Sequence, residues 1–322
     1  MTDELILAVP SKGRLKEQVE EWLADCGLPL QNVGGGRGYS ARMDGIAGVQ
    51  VRLLSASDIA SALYAGEVHL GVTGEDLLRE FGETLDGRVM LLRALGFGRA
   101  DLVVAAPKSW VDVETMADLD EVAHLYLART GRRMRVATKY LTQTRGFFAH
   151  HGIADYRIVE SSGATEGAPA AGAAEIVVDI TTSGATLQAN NLKIVGDGLI
   201  LRSQAQLAGS LAAAWSAGQL DVLRRLLGVV EARARGKTIA SVVWPADQDA
   251  AARTAVKAFV TADQALRTNG ALVAAKDLFA ASQALAAAGV GPVSVTNPAY
   301  VFDAASPMAE SLAASVAVVS TN

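Results

Sequence analysis

An acid followed at once by small and hydroxylated residues is the feature of this sequence most able to do chemistry. The apolar segment EIVVDI (175–180) carries Asp179 near its end, and Thr181, Thr182, Ser183, Gly184, Ala185 and Thr186 follow directly. Small side chains let an anion approach the backbone, and consecutive N–H groups and hydroxyls can surround a phosphate monoester. Asp179, at the carboxyl end of an expected strand, can accept hydrogen bonds from vicinal ribose hydroxyls or stabilise a cationic centre. An acid with such a loop is what a phosphoribosyl-pyrophosphate site requires. Taken alone, a glycine-containing turn reads more plainly as a tight connection packed on a helix.

A second candidate set lies in PSKGR (10–14). Ser11, Lys12, Gly13 and Arg14 form the turn after the first expected strand, where ligands collect in open α/β sheets. Lys12 and Arg14 can neutralise phosphates there, Arg14 as a planar fork, unless the turn is merely a solvated basic one. Cys26, the single cysteine, falls on the apolar face of the first helix as a small hydrophobe. With only four histidines beside it, neither an internal disulfide nor a zinc cluster of usual spacing is expected. His150 and His151 suit a helix end, and His69, within a strand, reads as structural.

The elements that must position these residues alternate. LILAVP (5–10) is a short strand, a helix carries Leu15, Val19, Trp22, Leu23 and Cys26, and VQVRLL (49–54) is a second strand. SASDIASALYAG begins with cap-forming residues and ends at Gly66; VHLGVTG (68–74) is a third strand. This β-α-β-α-β order predicts a parallel sheet with crossover helices. Strands are expected again in 92–107, 133–140, 156–161 and 175–180, and a long helix runs to Arg235. From about 236 the character changes: TIASVVWP is followed by an alanine-rich stretch, Asp247 to about Ala288, read as a helix pair.

The chain has 322 residues, half of them apolar and a fifth charged, so disorder is excluded as the global state and two or three domains are expected. The net charge of −5 gives no global pull toward nucleic acid or an anionic membrane. The N-terminal segment reads as neither signal peptide nor targeting helix, and no apolar run is long enough to span a bilayer, so a cytoplasmic location is expected.

The residues from Glu166 through Gly172, Ala174, Val177 and Asp179 to Ser183, Gly184, Thr186 and Leu187 are spaced like the signature of the ATP phosphoribosyltransferase family. The resemblance extends to PSKGRL (10–15), SASDI (55–59), HLGVTGEDLL (69–78), LGFGRADLVVAAP (95–107) and GVVEARARGK (228–237), and covers roughly residues 1–237. It implies transfer of the 5-phosphoribosyl group from phosphoribosyl pyrophosphate to N1 of ATP, the first step of histidine biosynthesis. It also implies Mg²⁺ held mainly by substrate oxygens rather than by a protein cage.

The implied fold is α/β, a bilobal periplasmic-binding-protein-like (type II) catalytic part with a small C-terminal α+β domain. Lobe one is expected at 1–97 with 187–235, lobe two at 98–186, and the C-terminal domain at 236–322. On this resemblance Thr182 to Thr186 hold the 5-phosphate and Asp179 the ribose hydroxyls. Glu166 and Ser162-Gly163 orient ribose or adenine, and Arg37, in the glycine loop 34–40, is a nucleotide contact unless that loop is simply flexible. Asp58, Gly74 and Glu75 complete the substrate-binding candidates.

Length fits the family's long form, in which a C-terminal domain binds histidine as feedback inhibitor, and a dimer or hexamer is expected. The alanine-rich run does not match the alternating strands and helices of a ferredoxin-like domain expected there. Another phosphoribosyltransferase, or a non-enzymatic bilobal binding protein, is the alternative.

Overall fold

The computed structural model describes residues 4–32, 40–161, 163–260 and 266–319. The first unit starts with β1 (Leu5–Pro10), α1 (Gly13–Asp25), the short β2 (Leu30–Asn32) and β3 (Ser40–Met43), then β4 (Val49–Leu54) and α2 (Ala56–Ala65). It continues through β5 (Leu70–Gly74), α3 (Glu75–Arg79) and β6 (Val89–Ala94). Local chemistry sets the helix ends. Ser55 accepts a hydrogen bond from the Asp58 N–H at the start of α2, and Gly66 closes that helix in the left-handed conformation.

The chain then crosses to β7 (Ala100–Pro107), α4 (Met116–Thr130), β8 (Met134–Thr138), α5 (Leu141–His150), β9 (Tyr156–Glu160), β10 (Ile176–Thr181), α6 (Ala185–Ala189) and β11 (Leu192–Ser203). Thr115 and Asp118 form a reciprocal capping box at the start of α4. One residue, Gln204, separates β11 from β12 (Ala205–Ser210), which returns to the first sheet and leads into α7 (Ala217–Gly236).

The two sheets share one wiring. The first has the order β2-β3-β4-β1-β5-β12-β6, with β1 parallel to β4 and β5, and β12 antiparallel between β5 and β6. The second has the order β11-β7-β10-β8-β9, with β8 parallel to β9 and β10, and β7 antiparallel between β10 and β11. In each, a strand arriving from the other lobe inserts antiparallel beside the third strand, which is the type II bilobal arrangement. The two crossings, 95–99 and 203–205, lie side by side. Leu95 N–H donates to Ala205 O at 2.9 Å and Ala205 N–H to Phe97 O at 3.0 Å.

Three expectations change. Residues 192–203 pair with β7 in the second sheet rather than joining lobe one, because β11 is a long strand that completes that sheet before the chain turns back. The alanine-rich stretch is no helix pair. After β13 (Ile239–Val243) come α8 (Asp249–Val256), a hairpin of β14 (Leu266–Arg267) and β15 (Gly270–Ala274), α9 (Leu278–Ala287) and β16 (Ser294–Thr296). Their sheet order, β14-β15-β13-β16 with neighbouring strands antiparallel, is ferredoxin-like, and Trp244, Val256, Val273 and Leu285 are buried between sheet and helices. Finally, α10 (Pro307–Val319) leaves this domain: Ala309, Leu312 and Val316 are buried in the same cluster as Leu5, Leu23 and Leu223 of lobe one. A Cβ on Gly209 of β12 would lie 2.6 Å from Leu312 Cδ2, so helix and strand are in tight contact.

Candidate active site

Parallel strands direct their carboxyl ends into the cleft between the lobes, and the connections that follow them supply the functional groups. In lobe two, β10 ends at Asp179–Thr181. Its mostly buried apolar run fixes the strand, and the small residues after it turn tightly: Gly184 takes φ 76° and donates its N–H to Thr181 Oγ1 at 2.8 Å. Thr182, Ser183 and Thr186 remain exposed, while Thr182 Oγ1 also donates to Arg99 O at 3.2 Å.

Asp179 is partly buried, and that burial pushes its carboxyl above the ordinary range, with the charges of Glu166 and Asp76 adding to the rise. The Ile180 N–H on its Oδ1, at 2.8 Å, and the Lys139 ammonium act the other way. Glu166 sits on a single helical turn, Thr165–Gly167, and Thr165 beneath it is buried with Oγ1 on Ser161 Oγ at 3.1 Å. Gly163 is exposed nearby in sequence. Ser162 and Arg37 lie outside the described residues.

From lobe one, Lys12 and Arg14 are exposed at the start of α1, where Lys12 is the extended cap residue without a side-chain cap bond. Gly13 has φ 74°, and Ser11 is anchored by its N–H on Leu54 O at 2.8 Å. Arg14 lies beside the start of the hydroxyl loop. It lines a cavity of about 460 Å³ together with Arg99 and Thr182. A neighbouring cavity of about 500 Å³ is lined by Arg99, Asp101, Thr181, Thr182, Arg202 and Gln204. Arg14 and Arg99 thus share one cavity with Thr182, and Arg99 and Arg202 share the next with Thr181 and Thr182.

The remaining candidates hold other positions. Asp58 is the helix-capping acid of α2, its Oδ2 accepting from Ser55 Oγ at 2.6 Å. Gly74 leads into α3. Glu75 pairs with Arg79 at 3.3 Å and accepts from Gln206 Nε2 at 2.8 Å, bracing α3 on β12. His69 accepts the Ile6 N–H on Nδ1, and burial lowers its basicity, in keeping with a structural role. Cys26 is buried, which pushes its thiol up to about 11.

Sequence reasoning missed Arg99, Arg202 and Lys139. Arg99 stood in a quoted block, flanked by Gly96 and Gly98 with positive φ, and the turn signal in GFGR was the available clue. Lys139 lies at the end of β8, the same strand-end position as Asp179 on β10, beside a third cavity of about 430 Å³ that Ser57, Glu80 and Tyr140 also line.

What this cleft can grip sets the class of protein: a phosphorylated sugar at the loop and a second polyanion against the arginines, the needs of a phosphoribosyl-transferring enzyme. The family model described as ATP phosphoribosyltransferase matches residues 55–228. An ATP phosphoribosyltransferase of Caulobacter vibrioides is 68% identical over 306 residues, 95% of this chain and 96% of that protein. One from Nitrobacter winogradskyi is 49% identical over 319 residues, 97% of this chain and 98% of that protein. The chain belongs to the ATP phosphoribosyltransferase family. Among solved structures, the ATP phosphoribosyl transferase (HisG:HisZ) complex from Thermotoga maritima is similar with a TM-score of 0.53 at 24% identity, covering 70% of this chain and 98% of that chain. That likeness concerns the fold. The two curated relatives also align across the C-terminal segment, so the ferredoxin-like domain is shared with them.

Proposed function

We infer that the chain transfers the 5-phosphoribosyl group of phosphoribosyl pyrophosphate to N1 of ATP, giving N1-(5-phosphoribosyl)-ATP and pyrophosphate in the first step of histidine biosynthesis. The observation that carries this reading is the hydroxyl loop after Asp179, whose first residues, Thr181 and Thr182, line cavities shared with Arg14, Arg99 and Arg202, in a member of this family. Adenine N1 has a free lone pair, so no strong base is needed. It attacks C1 of the ribose, the bond from C1 to the pyrophosphate oxygen breaks, and the configuration at C1 inverts. The protein's task is to position two polyanions and to balance charge around a cationic ribosyl centre.

Thr182, Ser183 and Thr186 hold the 5-phosphate, with Gly184 and Ala185 keeping the backbone open to it. Asp179 accepts from the ribose hydroxyls and faces the developing cation. Glu166 orients the sugar from the neighbouring turn, and Lys12, Arg14 and Arg99 neutralise phosphates. Among the described residues no three carboxylate, imidazole or thiol groups gather to hold a metal, whereas Asp179 and Glu166 are hard oxygen donors close to where substrate oxygens would lie. They fit Mg²⁺ held chiefly by substrate, which would offset the charge of the leaving pyrophosphate.

The C-terminal sheet domain is the candidate for feedback inhibition by histidine, because its strand order is the one expected of the long form. A dimer or hexamer, and a cytoplasmic location, complete the reading; no helix among the described residues is long and apolar enough to cross a membrane. The test is pyrophosphate release by the purified chain with ATP, phosphoribosyl pyrophosphate and Mg²⁺, with and without histidine. Turnover with ATP that histidine suppresses is the expected result. Turnover only with another nucleobase compound would overturn the substrate, and indifference to histidine would overturn the regulatory role.

A further inference from the structure

Arg99 follows Gly98 directly, at the end of the first crossing between the lobes. Backbone with two glycines so close together is soft until it is tied down, and Gly96 and Gly98 take φ of 79° and 61°. The ties are specific. Leu95 N–H donates to Ala205 O and Ala205 N–H to Phe97 O, at 2.9 and 3.0 Å, and Arg99 O accepts from Thr182 Oγ1 at 3.2 Å. Between them the Gly96 N–H is met by a side chain, donating to Gln204 Oε1 at 3.1 Å across 108 residues of sequence. Gly98 is closely packed as well, since a Cβ there would lie 2.9 Å from Leu15 Cδ1 and 3.3 Å from Ala205 Cβ.

Gln204 makes that bond from a backbone that is itself fixed. Its carbonyl accepts the Glu75 N–H at 3.0 Å, at the start of α3. The preceding residue, Ser203, donates through Oγ to Asp76 Oδ1 at 2.8 Å and accepts the Asp76 N–H at 3.0 Å. The buried Asp76 also accepts from Tyr140 Oη of lobe two at 2.6 Å. The following residue is Ala205, bonded to the first crossing on both sides of Gly96. Gln204 thus reaches from a rigid point to the softest part of the other crossing, and it shares with Arg99 the cavity of about 500 Å³ beside Thr181 and Thr182. The roles assigned above make no use of it.

We propose that Gln204 is a positioning residue for Arg99: by holding the Gly96 N–H it fixes the start of the glycine crossing, and so the place from which the guanidinium meets phosphate. The crossing then presents a cation already aimed, rather than one that must be ordered when substrate binds, and binding costs less for it. Such a contact serves ground state and transition state alike, so it bears on KM and not on kcat. The proposal rests on the reading of Arg99 as a phosphate contact.

The test is a double-mutant cycle in pyrophosphate release by the full chain, with ATP and phosphoribosyl pyrophosphate varied in turn. Gln204→Met keeps an unbranched side chain of similar length and removes the carbonyl acceptor. Gln204→Glu is avoided because it would add an anion beside Arg99 and Arg202. In Gln204→Met the KM of whichever substrate Arg99→Ala weakens should rise about threefold, as the loss of one solvent-exposed hydrogen bond allows, with kcat within about twofold of wild type. In an Arg99→Ala background the same change should leave that KM unmoved, since no guanidinium remains to be placed. A merely structural bond would lower the melting temperature of Gln204→Met and leave both KM values at wild type, which would overturn the positioning role. A rise of the same size that persists in Arg99→Ala would overturn it too, by showing that Gln204 acts on substrate without the arginine. An unchanged KM in Arg99→Ala alone would instead remove the phosphate reading beneath the proposal, and the proposal with it, whatever Gln204→Met does.

Discussion

The two lobes are wired alike and furnished differently. Lobe one presents exposed cations on a glycine turn at the end of β1, whereas lobe two presents a partly buried acid and a collar of hydroxyls at the end of β10. In the shared wiring β1 corresponds to β8 and β10 to β5, so the two lobes offer their candidate groups from non-equivalent strand ends. The difference also divides the costs. Lys12 and Arg14 are solvated and compromise nothing in the fold, while Asp179 is held where its charge is disfavoured, the usual sign of a group placed for chemistry rather than stability.

The largest effect is expected from disturbing the lobe-two loop. Gly184→Val puts a branched side chain at φ 76° and should lower kcat/KM for phosphoribosyl pyrophosphate by about 10³-fold, while the backbone strain, about 1–2 kcal/mol, lowers the melting temperature by a few degrees. Steady-state kinetics beside a thermal melt would check this. Next comes a change remote from both cleft rims. Leu312→Ala empties a fully buried position between α10 and β12, and should cost about 3 kcal/mol in denaturant unfolding while kcat in the cold stays near wild type. A loss of turnover matching the loss of stability would mean that α10 helps to set the cleft.

Arg99→Ala should raise the KM of a polyanionic substrate by about tenfold, and the defect should shrink in high salt, because a charge-assisted contact is worth about 1.5 kcal/mol. An unchanged KM would remove Arg99 from the site. The smallest effect concerns the junction of α1 with α7. Arg233, 2.6 Å away, holds the Asp25 carboxyl down to about 2, with Lys237 assisting. Because this carboxyl is lowered on folding, its contribution is present above its unfolded value near 4 and is lost as pH falls toward 2. Asp25→Asn should therefore cost about 1 kcal/mol at neutral pH, and the gap to wild type should close in acid melts.

The local parts of this site were legible in the sequence. A strand, an acid and a hydroxyl loop are consecutive residues, and their order survives folding unchanged. Arg99, Arg202, Lys139 and the Asp76–Tyr140–Ser203 cluster were not legible, because they meet only through the two lobe crossings, across separations of up to 127 residues. In the C-terminal domain, alanine favours helix strongly enough to hide a hairpin whose first strand has only two residues. The Asn269–Gly270 pair, with Asn269 at φ 49°, was the turn signal that could have revealed it. The long β11 was misassigned to lobe one for a related reason. Its apolar pattern runs on almost without a break into β12, and only the structure reveals the change of sheet at Gln204.

The central claim is that Asp179 is present for the reaction and at some expense to the fold. Its carboxyl is raised on folding, so ionising it destabilises the folded chain as pH climbs past the unfolded value near 4. The decisive measurement is pyrophosphate release by Asp179→Asn under saturating substrates, paired with its melting temperature at neutral pH. Turnover reduced by about 10³-fold with a melting temperature equal to or above wild type is the predicted result. Near-normal turnover, or lost turnover accompanied by a collapse of stability, would contradict it.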